Sequence, residues 1–209
     1  MIKLLVIGDS FSGKTSLLNR FVNNHFEKTY VATVACDFQL KIIKIDNIEI
    51  RIQLWDLAGQ DSRTQSINKL FCRGAKGAIV MADITNSDSL SNTIVWKDQI
   101  SEQTELPGGE NIPMVLVSNK VDLLEEMDEA KLDKTMHQAY LDNFAEENGF
   151  IGAFRTSAKT GKNVSQVFAA MVKEILKADL GAQPEEDDDS IPYQKSRKVK
   201  PSFMLKRQS

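Results

Sequence analysis

The sequence predicts an α/β domain: a mostly parallel sheet with helices on both faces and one antiparallel edge strand. Two observations carry this expectation. Short apolar runs at Leu4–Ile7, Ala78–Ala82, Met114–Ser118 and Phe150–Thr156 alternate with longer segments of helical period. Such runs suit strands buried on both faces, with helices as the crossovers. Only one pair of β-rich runs, Phe38–Ile45 and Ile48–Trp55, follows without a helix between, split by Asp46-Asn47. That is a hairpin with a two-residue turn, and so an antiparallel edge. Ligands in such folds bind at the carboxyl ends of the strands.

The elements follow in order. Leu4–Ile7 ends in Gly8, and Thr15–Phe21 reads as the first turns of a helix. Residues 23–38 are polar and lack a period, which predicts a loop of functional length. After the hairpin come Trp55-Asp56-Leu57-Ala58-Gly59-Gln60, a polar stretch, and a short helical segment near Ile67–Cys72. Ala78–Ala82 ends at Asp83. Ser87–Thr104 is expected to be helical, capped by Ser87 or Asp88. Leu106-Pro107-Gly108-Gly109 marks a surface loop. Met114–Ser118 ends in Asn119-Lys120-Val121-Asp122, and Leu132–Asn148 reads as a helix stopped by Gly149. Phe150–Thr156 runs into Ser157-Ala158-Lys159. The stripe Val164, Val167, Phe168, Met171, Val172, Ile175 and Leu176 within Val164–Leu180 is the core face of a last helix. Residues 1–180 thus form the folded domain, and 181–209 form a separate tail.

Bulk composition excludes several classes. At 209 residues, 42% hydrophobic and 26% charged, the chain has the balance of a globular protein. A formal net charge of −3 gives no reason to expect nucleic acid as a partner. No apolar run approaches the ~20 residues of a membrane span, and the chain starts directly in a strand, so no signal peptide is expected. Cys36 and Cys72 lie outside any metal-ligand spacing and fit a reducing compartment. His25 and His137 are isolated and are expected to be ordinary surface or loop residues.

One motif carries chemistry on its own. Gly8 through Thr15 completes G-x-x-x-x-G-K-[ST], between a strand and a helix. The glycines permit a sharp turn. The loop N–H groups and the positive helix N-terminus then converge on phosphate oxygens. Lys14 reaches the β- and γ-phosphates, and the Thr15 hydroxyl sits on Mg²⁺.

With that loop, four further motifs agree in order: Thr33 within Thr33-Val34-Ala35-Cys36-Asp37-Phe38, D-x-x-G at Asp56–Gly59, N-K-x-D at Asn119, Lys120 and Asp122, and S-A-K at Ser157–Lys159. Over residues 2–178 the chain resembles a Ras-like small GTPase, and most of all its Rab branch. The pieces LPGG…IP and ENGF resemble the Rabs linked to lysosome-related organelles.

The resemblance implies a P-loop GTPase fold with a six-stranded sheet, and a GTP- or GDP-bound, Mg²⁺-dependent monomer. It places the nucleotide on Ser10, Phe11, Ser12, Gly13, Lys14, Thr15, Ser16, Phe26, Tyr30, Thr33, Gly59, Asn119, Lys120, Asp122, Ser157, Ala158 and Lys159. It places the metal on Thr15 and Thr33, with Asp56 acting through a water. Gln60 orients the attacking water, and no cis arginine finger is apparent, so turnover is slow until a partner supplies one. The Asp122 carboxylate accepts from guanine N1 and N2. Sites built on such pairing discriminate on the order of 10⁴-fold. Lys120 lies along the base, Asn119 holds the base edge and ties loops together, the Ala158 N–H donates to guanine O6, and Phe26 stacks. Loss of the γ-phosphate contacts of Thr33 and Gly59 relaxes both loops. Effectors, an exchange factor and an activating protein are expected on Thr33–Phe38, Trp55 and Gln60–Phe71, with Phe38, Trp55 and Phe71 as an aromatic triad. The implied setting is cytoplasmic, on the cytoplasmic face of endomembranes.

The sequence departs from the family in three places. Phe11-Ser12 stands where Rabs usually have Gly-Val, which puts affinity or turnover in question. Gln60-Asp61-Ser62-Arg63-Thr64 replaces the usual run, and Trp55 to Gly74 is one residue longer than typical. The chain ends Lys206-Arg207-Gln208-Ser209 with no cysteine after Cys72, so prenylation is not expected. In the tail, the acids Glu185–Asp189 precede Lys195, Arg197, Lys198, Lys200, Lys206 and Arg207. This composition predicts disorder. Weak, salt-sensitive contact with anionic lipid is the sharper expectation, at about 1 kcal/mol per basic residue. Liposome co-sedimentation unchanged by deleting residues 191–209 would rule it out. Two rivals remain: a pseudo-GTPase scaffold with little or no hydrolysis, motivated by Phe11 and the altered loop, and a P-loop small-molecule kinase, which Asn119–Asp122 and Ser157–Lys159 oppose.

Overall fold

The computed structural model describes residues 1–27, 29, 33, 35–45, 47–59, 67–104, 106, 109–124, 127 and 133–181. Along the chain these form β1 (Ile2–Gly8), α1 (Lys14–Asn23), β2 (Cys36–Ile45), β3 (Ile48–Leu57), α2 (Lys69–Cys72), β4 (Gly77–Asp83), α3 (Ser87–Gln103), β5 (Met114–Asn119), α4 (Gln138–Glu147), β6 (Ala153–Arg155) and α5 (Val164–Gly181). The strands make one sheet, ordered β2-β3-β1-β4-β5-β6. All pairings are parallel except β2 with β3, which run antiparallel from Ile45↔Ile48 to Cys36↔Leu57. The expected class, hairpin and edge strand are therefore present.

The period-2 alternation of the strands feeds two apolar layers. Leu4 and Val6 of β1, Ile52 and Leu54 of β3 and Val115 and Val117 of β5 pack with α1 and α5, through Leu17, Leu18, Phe168 and Met171. The intervening Leu5, Ile7, Ala78, Val80 and Leu116 pack with α2, α3 and α4, through Cys72, Trp96, Ile100 and Leu141. Burying each such Leu or Ile contributes about 1.5–3 kcal/mol. Edge strand β2 alternates instead, leaving Phe38, Leu40 and Ile42 exposed.

Three boundaries differ from expectation. Asn86, not Ser87 or Asp88, caps α3, because its extended backbone lets Oδ1 accept from the N–H groups of Asp88 and Ser89. The helix expected from Leu132 is split. A 3₁₀ turn at Lys134–Met136 has its own cap, Asp133, and His137 is extended (φ −84°, ψ 142°), so α4 begins only at Gln138. Strand β6 keeps three residues, since only Leu116–Ser118 of β5 pairs with it. Tyr30, Gln60, the stretch 61–66 and the tail beyond Gly181 lie outside the described residues.

Candidate functional site

The carboxyl ends of β1, β3, β5 and β6 open onto a cleft of about 510 Å³, a size suited to a small ligand. Its floor is the loop between β1 and α1. At Gly8, φ is 138° and a Cβ would collide with the Met81 carbonyl oxygen of β4. At Gly13, φ is 92° and a Cβ would strike Asn119 Nδ2. Both positions accept only glycine. The N-cap of α1 makes no side-chain hydrogen bond, so the first N–H groups of the helix are left for an anion. Phe11 holds a left-handed φ of 65°, is 63% exposed and lines the cleft. For a bulky residue that conformation costs about 1–2 kcal/mol.

Lys14, the first residue of α1, is buried and donates to the Gly8 and Asp9 carbonyls, both at 2.9 Å. Burial lowers its pKa to about 8, against the opposing pull of Asp56 and Asp9. Gly59 closes over this ammonium: a Cβ there would collide with Lys14 Nζ and sit 2.6 Å from both Gly8 O and Ser10 N. The Ser10 hydroxyl donates to the Gly59 carbonyl.

Three oxygens from three elements meet beside Lys14. Thr15 Oγ1 donates to Asp56 Oδ2 at 2.5 Å, Thr33 Oγ1 donates to the same oxygen at 3.2 Å, and the two hydroxyls are 3.0 Å apart. Asp56 is 2% exposed, and burial raises its pKa despite those hydroxyls and Lys14. Its Oδ1 is buried with no hydrogen-bond partner. An all-oxygen set with one carboxylate and an orphaned buried oxygen fits Mg²⁺, which keeps waters and takes phosphate ligands. Among the described residues no cluster of three His, Cys, Asp or Glu offers an alternative metal site.

The far end of the cleft is built from the β5 and β6 termini. Asn119 Nδ2 donates to the Ser12 carbonyl at 3.0 Å, while Oδ1 accepts from Thr156 Oγ1 and the Ala158 N–H. Asn119 therefore ties the three loops together, and the Ala158 N–H is shared with it. Asp122 accepts from Ser157 Oγ at 2.6 Å and faces Lys159 Nζ at 3.5 Å. Lys120, in a left-handed turn (φ 73°), pairs with Asp83 at 2.6 Å.

Of the expected residues, Ser10, Phe11, Gly13, Lys14, Thr15, Ser16, Phe26, Thr33, Gly59, Asn119, Lys120, Asp122, Ala158 and Lys159 line the cleft. Ser12 and Ser157 do not: both are fully buried behind it, orienting Asp9 and Asp122. Sequence reasoning missed Asn19, Glu27, Thr29, Ala58 and Leu123 in the lining. It also missed Arg20, whose guanidinium donates to the Ala158 and Lys159 carbonyls at 2.8 and 2.6 Å. A second surface is built from β2, β3 and α2. Trp55 lies between Phe38 and Phe71, with centroids 5.8 and 6.1 Å away, and Lys3 Nζ sits 4.0 Å over its ring.

Comparison with known proteins agrees with this geometry. A model of the Ras family matches residues 3–177. Ras-related protein Rab-7L1 from Homo sapiens is 36% identical over 178 residues, covering 85% of this chain and 83% of the relative. Ras-related protein Rab-32 from Homo sapiens is 35% identical over 189 residues, covering 90% and 80%. Rab-32A from Dictyostelium discoideum is 38% identical over 182 residues, covering 86% and 80%.

Proposed function

Because the chain belongs to the Ras family, on its Rab branch, we propose that it is a GTP-binding switch with slow, Mg²⁺-dependent hydrolysis that a partner accelerates, acting in vesicle or organelle traffic. The observation that supports this most is the meeting of Thr33, from the loop after α1, with Thr15 and Asp56. A loop residue that also faces an ion and a terminal phosphate would lose those contacts when that phosphate leaves. Mg²⁺, carried by Thr15 and Thr33 with Asp56 behind, would neutralise charge on the phosphates. Lys14 and the α1 N–H groups bind them, and Gly59 allows close approach. Asp122, aimed by Ser157, selects guanine; Phe26 and Lys120 supply its packing faces. Gln60 orients water.

In this reading the triad of Phe38, Trp55 and Phe71, with exposed Leu70, receives effectors. Exchange and activating factors engage the two loops that flank it. The chain acts as a monomer on the cytoplasmic face of endomembranes, with weak, reversible contact from the basic part of the tail, residues 191–209. Among the described residues no helix is long and apolar enough to cross a membrane.

One observation favours a second reading, a scaffold that binds nucleotide with little hydrolysis: the left-handed, cleft-lining Phe11. Chromatography of nucleotide released from the purified protein, followed by single-turnover GTP hydrolysis, tests both. We expect bound GDP, and hydrolysis at least tenfold slower in Gln60→Leu than in wild type. Equal rates sink the role given to Gln60 and leave the scaffold. No bound guanine nucleotide, and none taken up in magnesium buffer, sinks the switch.

A further inference from the structure

Asp9 places a carboxylate inside the loop that gathers N–H groups for an anion, where its charge opposes the ligand. The fold turns that charge away. Oδ1 accepts from the Trp96 indole N–H at 2.7 Å and Oδ2 from the Asn92 amide at 2.8 Å. Asn92 and Trp96 stand four residues apart on α3 and so share a face. Trp96 is 4% exposed and packed in the layer that holds Leu5 and Ile7 of β1. The Asp9 backbone points the other way, with its carbonyl accepting from Lys14 Nζ and Ser12 Oγ, each at 2.9 Å.

We propose that Asn92 and Trp96 are positioning residues for nucleotide retention. They hold the Asp9 charge against α3, off the phosphates, and keep its carbonyl in place for Lys14. Two donors on one ionised acceptor make charge-assisted bonds stronger than neutral ones. Losing either leaves a single donor and loosens the hold that keeps the carboxylate off the triphosphate. This rests on the nucleotide-binding reading above.

The test loads the full chain with a fluorescent GDP analogue and follows its release into excess GDP. Asn92→Ala and Trp96→Phe, which keeps a ring in the core, are expected to release it about tenfold faster. That acceleration should shrink at high ionic strength, because it is electrostatic. Asp9→Asn should release more slowly than wild type, having lost the opposing charge. In Asp9→Asn/Asn92→Ala, release should fall back below that of Asn92→Ala alone. A packing defect in α3 would not be rescued by neutralising Asp9. Wild-type release rates in both Asn92→Ala and Trp96→Phe overturn the inference. So does Asp9→Asn releasing as fast as Asn92→Ala, which would make the contact a plain scaffold. Wild-type protein that never retains the analogue overturns the nucleotide reading itself.

Discussion

Gly8→Ala is expected to destabilise the domain by on the order of 4 kcal/mol, a fall of roughly 10 °C in melting temperature for a domain of this size. The cause is local and double. Position 8 holds φ 138°, a conformation that side chains resist, and the new Cβ would run into the carbonyl oxygen of Met81 and lie 3.0 Å from its carbon. Both are backbone atoms of the neighbouring strand, in register with Gly8, so no side chain can swing aside. Strands β1 and β4 must separate at the sheet's centre, or the loop must refold. Gly152→Ala, whose Cβ would meet nothing within 4 Å, should change stability by less than about 1 kcal/mol. Thermal melting of both variants at fixed GDP and Mg²⁺ checks this. A Gly8→Ala protein melting within 2 °C of wild type would show that the ladder yields without penalty.

The second large effect concerns Lys14, where stability and binding should move in opposite directions. Without nucleotide, the Lys14 ammonium is buried against two carbonyls, with a folded pKa of about 8 against the ordinary 10.5. Between those values the unfolded chain holds the proton that the folded chain has lost. Stability therefore rises with pH across that window, and the penalty is complete below pH 8. Lys14→Met should accordingly stabilise the nucleotide-free domain by about 1–3 kcal/mol at pH 7, less what the two carbonyls lose with their donor, and should gain little above pH 10.5. The same change removes charge-assisted contacts to phosphate and should weaken GDP binding on the order of 10²-fold or more. Binding to wild type should restore the charge on Lys14 and draw in about half a proton at pH 8. Calorimetry of GDP binding in two buffers of different ionisation enthalpy reads that uptake. Identical enthalpies at pH 8 would show that Lys14 is already fully protonated.

Burial acts alike on the partner group. Asp56 is also pushed toward its neutral form, and Lys14 does not offset this. A buried cation and a buried anion that both resist their charge would suit the charged ligand and counter-ion proposed above. Motif spacing named Lys14 and Thr15, and the family resemblance named Asp56. The burial that Lys14 and Asp56 share arises only from the way α1, β3 and the Gly59 turn close on one another.

The sheet, the hairpin at the edge and the phosphate loop were legible in the sequence because each is a local signal; the other four motifs were read through the family resemblance. A buried parallel strand must be apolar throughout, a two-residue turn must be short, and Gly8 and Gly13 answer to backbone geometry. The split before α4 was not legible, since Asp133 and His137 act through caps and dihedrals that carry no apolar period. Asn86 likewise looked no different from Ser87 or Asp88 until its backbone was seen extended.

What the amino-acid order determined by itself was the inventory of buried strands, the loops that follow them and the phosphate loop with Lys14 and Thr15; the side chains for guanine and the rest of the magnesium set came through the family resemblance. Tertiary structure alone decided the partnerships. It set Asn119 as the tie between the Ser12 and Ala158 loops, Arg20 beneath the carbonyls of Ala158 and Lys159, and Asp9 against Asn92 and Trp96. The physical reason is range. Hydrophobic period and turn chemistry act over a few residues, whereas hydrogen bonds across 39 to 139 positions exist only once the sheet has brought its strand ends to one edge.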